Sequence, residues 1–263
     1  MQDSSNFKIY LNPPDPFTSW FDALEKRHMA HLTFPEIRHG VQALSSLYVE
    51  RRSQIGTGTA LTGAGKKAAF AMFYGPLHFL LVREIVRSLH TNVPTSVPAI
   101  LDLGCGTGIA GAAWALETVP RARVVGVERN PWAASECRWT YHALGIQGTV
   151  RAADIEKLRI PRDSAIIAAF TMNELDEAVR DRLLREFLRG SGQGGPVLII
   201  EPIARRLVRW WDDWAGQWVA AGGREDSWRF KVELPKRLAL MDRAAGLDHK
   251  ELTARSLWLP GRP

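Results

Sequence analysis

Ile100-Leu101-Asp102-Leu103-Gly104-Cys105-Gly106-Thr107-Gly108-Ile109 is the stretch that decides the fold of this 263-residue chain. Its first four residues read as an apolar strand, which runs straight into three glycines at alternate positions. Glycines in that pattern strip side chains from a turn, so backbone can lie against a ligand and adopt conformations closed to other residues. The residues that follow, Ile109 to Glu117, read as a helix whose N-terminus points at whatever the turn holds. A dinucleotide site wants its third glycine one place later, where this chain has Ile109, so a pyrophosphate suits the turn poorly. A nucleoside-bearing cofactor without one suits it better.

Outward from this stretch the pattern alternates. Strands are predicted over 99–103, 123–128, 148–152, 165–170 and 196–201, and helices over 108–117, 131–144 and 174–189. Asn130 followed by Pro131 is a helix start, with Asn as cap and Pro in the first turn. Such alternation gives an α/β, doubly wound parallel sheet covered on both faces, with ligands at the carboxyl ends of its strands. Glu128, Asp154 and the segment after Phe170 all fall at those ends. Glu128 can accept two hydrogen bonds from a vicinal diol, or it is an ordinary solvated carboxylate at a strand end. Asp154 by itself reads as a helix or turn cap.

Residues 1–95 read as a helical N-terminal cap region and 96–263 as the core. Trp20, Phe21 and Leu24 open one amphipathic run. Ile37, Val41, Leu44, Leu47 and Tyr48 make a second, and Ala68 to Leu89 a third around Pro76. Gly56 to Thr59 and Gly63 to Gly65 punctuate the region, and Asn92 to Pro98 closes it. Beyond Ile203, Leu207, Trp211, Trp214 and Trp218 recur at helical spacing with Trp210 beside them, a stripe that reads as packing. A helix over Leu234–Ala245, stopped by Gly246, and a strand over Leu252–Leu259 complete the chain.

Composition sets limits. A hydrophobic content of 46% and a charged content of 24% are ordinary for a globular protein. A net charge of +6 points to anionic partners, nucleic acid first among them. Two cysteines make neither a disulfide framework nor a four-ligand zinc site, so no metal is expected and cytoplasmic residence is the default. Met1 to Ser5 lacks the basic-then-apolar pattern of a signal peptide. Ala68 to Val82 is the longest apolar region and is too short for a bilayer, which needs roughly 20 residues. No membrane is expected as a partner.

Asp102 to Gly108 resembles motif I of the class I S-adenosyl-L-methionine (SAM) dependent methyltransferases. The resemblance implies a Rossmann-like core with SAM as cofactor. Asp102, Gly104, Cys105, Gly106, Thr107 and Gly108 then seat the methionine part, and Glu128, with Arg129 beside it, takes the ribose. Asp154 and Ile155 lie by the adenine, and Phe170 closes the set. Cys105 reads as a small residue tolerated in the turn and not as a nucleophile. The segment Phe170-Thr171-Met172-Asn173-Glu174 falls where the family places its motif IV. It lacks the Asn-Pro-Pro-Tyr or Asp-Pro-Pro-Tyr that base amino-methylating relatives often carry. Asn173 and Glu174 are the catalytic candidates, placed to orient a nucleophile or accept its proton, or else to cap and charge the next helix.

A narrower resemblance runs from about residue 35 to 259. Leu44 to Arg52, Ala68 to His78 with Tyr74-Gly75-Pro76, Asn173-Glu174-Leu175, Leu198 to Pro202 and Leu252 to Leu257 are similar to the methyltransferase-like family of the mitochondrial small ribosomal subunit and its bacterial relatives. That implies RNA or the small ribosomal subunit as partner. Family members often carry cysteines for an iron–sulfur cluster, and this tail has none. Three readings follow: methyl transfer to ribosomal RNA, methyl transfer to a small molecule, or SAM binding without turnover by a ribosome assembly factor. The acceptor is expected between the helical cap and the strand ends near Tyr74, Phe170, Asn173 and Glu201. Arg51, Arg52, Lys66, Lys67, Arg205, Arg206 and Arg209 are candidates for a phosphate-binding face, or for solvated surface.

Overall fold

The computed structural model describes residues 8–9, 15–50, 61–89, 97–161, 164–190, 195–204 and 210–261. Eight strands form one sheet: β1 (Lys8–Ile9), β2 (Ala99–Leu103), β3 (Arg123–Val127), β4 (Gly148–Arg151), β5 (Ala165–Ala169), β6 (Val197–Glu201), β7 (Arg224–Val232) and β8 (Glu251–Leu259), in the order β1-β7-β8-β6-β5-β2-β3-β4. β2 is central and fully buried, which is why its residues form a continuous apolar run interrupted only by Asp102. From it the chain winds out through β3 to β4, then returns to β5 on the other side. That reversal leaves a crevice at the carboxyl ends of β2, β3 and β5, the place where a doubly wound sheet binds its ligand.

Three strands differ from the sequence reading: β1, which pairs with β7 from within the region read as helical, and β7 and β8. β8 inserts antiparallel between β6 and β7, so the sheet is mixed. β7 itself is an added strand, whose residues alternate in burial with Asp226, Trp228, Phe230 and Val232 turned inward. Four charged residues on its outer positions and at its start mask that period in the sequence.

The helices are α1 (Pro16–Met29), α2 (Phe34–Glu50), α3 (Ala64–Ala69), α4 (Gly75–Leu89), α5 (Ile109–Leu116), α6 (Pro131–Ala143), α7 (Glu177–Gly190), α8 (Trp211–Ala220) and α9 (Lys236–Ala244). One apolar cluster joins α1 to α6 and α9 with one face of the sheet, and a second joins α7 and α8 with the other. Trp211, Trp214 and Trp218 are buried in the second. Leu207 lies outside the described residues, as do Gly56 to Thr59.

α3 and α4 are one continuous helix, joined by a π-turn over Phe70–Tyr74 in which the Gly75 N–H reaches back to the Phe70 carbonyl. Pro76 explains the turn: its ring lacks an N–H and would strike the carbonyl four residues earlier, and the wider turn absorbs both. The expectation of a segment too short for a bilayer is corrected here. Ala64–Leu89 is a 26-residue helix, long and apolar enough to cross a membrane by length and composition alone. Its most apolar window is 78% buried within the protein, which makes it a core helix.

Candidate functional site

The glycine turn leaves β2 with all three glycines at positive φ: +64° at Gly104, +52° at Gly106 and +82° at Gly108. They are required for different reasons. A Cβ on Gly104 would lie 2.4 Å from the Thr171 methyl, and one on Gly108 would lie 2.6 Å from Cys137 Sγ, so those two answer to close packing within the protein. A Cβ on Gly106 would meet only the Phe70 ring at 3.8 Å, so this is the glycine whose outer face the protein leaves unfilled. The Gly106 N–H donates to Glu128 Oε2 at 3.0 Å, and the Asn130 N–H donates to Glu128 Oε1 at 2.7 Å. A carboxylate has about four acceptor positions, so two remain for a vicinal diol. The bare face at Gly106 and the carboxylate beside it fit a nucleoside with free ribose hydroxyls.

Other predicted residues face elsewhere. Asp102 is 1% exposed, and its Oδ2 accepts the Gly111 N–H of α5 at 2.8 Å, so it latches helix to strand and offers nothing to a ligand. Burial raises its carboxyl to about 7; the Gly111 bond opposes this and the nearby Glu128 charge adds to it. The Cys105 N–H donates to the Val127 carbonyl, its own carbonyl accepts the Gly108 N–H, and its Sγ lies 3.5 Å from that of Cys137 on α6. The Cys137 bond, then burial, push the thiol well above the ordinary range, which disfavours the reactive thiolate. That the two cysteines of the chain meet was not foreseen. Thr107 and Ile155 are also buried, Thr107 near Gly75. Asp154 caps the 3₁₀ turn Ile155–Lys157 through the Glu156 N–H at 3.0 Å. Arg129 is exposed.

At the end of β5, Phe170 has φ +57°, a left-handed conformation that is a true outlier for a bulky residue. Its N–H continues the ladder to the Ile200 carbonyl, and its ring stacks on His78 at 4.1 Å. His78 lies one turn after Tyr74 on α4, and the same turn passes over Thr107 and Ile109. Burial, then the neighbouring His249, lowers His78 to about 4, so it is neutral near pH 7. Burial raises Tyr74 to about 12 against a hydrogen bond with Ser45. His78 and Phe70 are site residues that the sequence reading missed. Their signal was the four-residue spacing from Phe70 to Tyr74 to His78, which aligns one helix face.

Asn173 and Glu174 lie in a 3₁₀ turn, Met172–Glu174, and α7 begins later at Glu177, so the predicted helix over 174–189 starts three residues late and Asn173 does not cap it. Asn173 gives its N–H to Glu201 Oε1 at 3.2 Å, and its Oδ1 accepts from Trp210 Nε1 at 3.0 Å. Its Nδ2 is buried without a hydrogen-bond partner among the described residues. Glu174 is exposed. Arg51, Arg52, Arg205, Arg206 and Arg209 lie outside the described residues.

Residues 100–195 match the family model described as a methyltransferase domain. The mitomycin 7-O-methyltransferase structure superposes over 94% of this chain and 73% of its own, with a TM-score of 0.51 at 15% identity. The fold is that of the class I methyltransferases. Among curated relatives, the ribosomal RNA small subunit methyltransferase C of Chromohalobacter salexigens is 29% identical over 154 residues, 56% of this chain and 44% of that protein. The carboxy-S-adenosyl-L-methionine synthase of Pectobacterium atrosepticum is 27% identical over 105 residues, 39% of this chain and 42% of that protein. The chain therefore spans less than half the length of either. The methyltransferase domain makes SAM the cofactor, and the Gly106 face with Glu128 is where this chain's residues fit it.

Proposed function

We propose that this protein is a SAM-dependent methyltransferase whose acceptor is RNA of the small ribosomal subunit. One observation carries the methyl-transfer reading: the bare Gly106 face and the Glu128 carboxylate stand together at the switch point of the sheet. SAM supplies an electrophilic methyl group, and transfer asks the protein mainly to align an acceptor's electron pair with it. The chain's own residues provide for that alignment. Gly104, Gly106 and Gly108 shape the turn, Glu128 takes the ribose, and Asp154 with Ile155 edges the adenine.

The acceptor enters between the N-terminal helices, read as a cap over residues 1–95, and the ends of β5 and β6. There the strained backbone of Phe170 sets its ring against His78, and Trp210 holds the Asn173 amide, whose Nδ2 is buried without a hydrogen-bond partner among the described residues. His78, kept neutral by burial, packs its ring against Phe170 beside them. The acceptor class is supported by the +6 charge, by the likeness to an rRNA methyltransferase, and by the narrower likeness to the methyltransferase-like family of the mitochondrial small subunit. Cytoplasmic residence, beside the ribosome, goes with it.

Transfer of tritiated methyl from SAM to RNA, protein and metabolite fractions of cells lacking this protein tests the reading. Label in small-subunit RNA is expected. Label confined to metabolites makes it a small-molecule enzyme, and SAM binding with no labelled product makes it a SAM-binding assembly factor without turnover.

A further inference from the structure

Beside the glycine turn, α1, α3 and α6 enclose a cavity of about 400 Å³ lined by Arg27, His28, His31, Lys67, Trp132 and Glu136. That volume lies within the range of small-ligand sites, roughly 300–1,000 Å³. Its charges do not balance. The buried Glu136 is answered twice: Arg27 Nη2 donates to Oε1 at 2.8 Å, and His28 Nε2 lies 3.2 Å from Oε2. Burial pushes the Glu136 carboxyl up, but its bonds to His28 and Arg27 outweigh this and hold it ionised below the ordinary range. Glu136 is thus consumed in orienting Arg27, whose guanidinium also lies 5.1 Å from the Trp139 ring centre.

Lys67 is left over. Its ammonium stands 5.8 Å from the centre of the Trp132 ring, and it has no carboxylate partner among the described residues. A half-buried cation against an aromatic wall has lost part of its hydration without gaining a counter-charge, and an anion entering the cavity would supply one. The cavity also adjoins the chemistry. Trp132 meets Phe70 edge-on at 6.4 Å, and the Phe70 ring in turn faces Gly106, so these two aromatic rings link cavity and turn.

We propose that this cavity seats a backbone phosphate of the RNA strand, with Lys67 as its principal contact and the pre-oriented Arg27 as its second. The inference rests on RNA being the acceptor. Lys67 belongs to the basic set read from the sequence, but its companions here, Arg27, His28 and His31, do not. Arg27 and His28 come from α1 and His31 from the turn after it, a segment that meets α6 only in the fold.

The test is binding of a short single-stranded oligoribonucleotide, followed by fluorescence anisotropy over a salt series, with S-adenosylhomocysteine affinity measured in parallel by calorimetry. Lys67→Met should weaken RNA binding about 5- to 10-fold and reduce the slope of log affinity against log salt by roughly 0.7, the share of one phosphate contact. Lys67→Arg should restore most of both, and S-adenosylhomocysteine affinity should stay unchanged throughout. Lys67→Gln reads the same way should the Met variant fail to fold. Unchanged RNA affinity and slope in the neutral variants overturn the proposal while leaving the RNA reading intact. So does a loss of S-adenosylhomocysteine affinity alone, which would assign the ammonium to the cofactor's carboxylate. Absence of salt-dependent RNA binding by the unaltered protein removes the RNA reading itself, and this proposal with it.

Discussion

Replacing Asp102 by Asn should change the pH dependence of stability in a defined direction and amount. The carboxyl is 1% exposed, holds the Gly111 N–H at 2.8 Å, and titrates near 7 in the folded protein against an ordinary 3.8. Below pH 3.8 it is protonated in both folded and unfolded chains and costs nothing. As pH rises from there, the unfolded chain releases its proton while the folded chain keeps it, so the folded state loses about 1.4 kcal/mol per unit. The loss stops near pH 7, after about three units, at ~4 kcal/mol. An Asn side chain can accept the same Gly111 N–H without ever ionising. The stability of Asp102→Asn relative to the unaltered protein should therefore climb by ~4 kcal/mol between pH 4 and 7 and stay level above it. Urea unfolding at half-unit pH steps measures this, and contributions from groups that do not interact with Asp102 cancel in the difference. Parallel curves, or a difference that falls as pH rises, would refute the buried latch.

Three further outcomes follow from the same geometry. Glu128→Gln has one amide oxygen for the Gly106 and Asn130 N–H groups and turns a donor toward one of them. S-adenosylhomocysteine affinity by calorimetry should drop roughly 10- to 100-fold, about 1.5–3 kcal/mol, and a change within twofold would remove Glu128 from the site. Gly108→Ala combines a positive φ with a Cβ 2.6 Å from Cys137 Sγ and should cost roughly 2–5 kcal/mol in denaturant unfolding, whereas Gly63→Ala, at φ +85° with open space around it, should cost only about 1–2 kcal/mol. Equal costs would contradict the packing account. His78 has its pKa lowered from 6.5 to about 4, so the stability tied to its neutral form is complete above pH 6.5 and is lost as pH falls toward 4. His78→Gln should lose less thermal stability than the unaltered protein over that acid range, and an equal loss would contradict burial of the ring.

What could be read from the sequence was what local physics decides. The glycine turn, the Asn130 cap with Oδ1 accepting from Trp132 and Ala133, and the central strands all depend on neighbours within a few residues. The features that escaped depend on distant partners. Cys105 and Cys137 meet because α6 packs against the turn, and His78 meets Phe170 from a distant part of the chain. Two of the three glycines read as a ligand cradle are glycines because Thr171 and Cys137 crowd them, which a motif cannot reveal. Asp102 sits in the motif but faces α5, since alternation along β2 turns it away from the turn's outer face. The π-turn at Phe70–Tyr74 and the antiparallel insertion of β8 likewise follow from tertiary accommodation, of Pro76 in one case and of the sheet edge in the other.

The central claim is that the exit of β2 and the carboxylate ending β3 form a seat for SAM. Calorimetric titration of the purified, ligand-free protein with S-adenosylhomocysteine tests it directly. One molecule bound per chain, with the heat abolished in a Glu128→Ala, Gly106→Val double variant that remains folded, is the predicted result. No heat of binding to the folded, unaltered protein, or heat undiminished in the double variant, would contradict it.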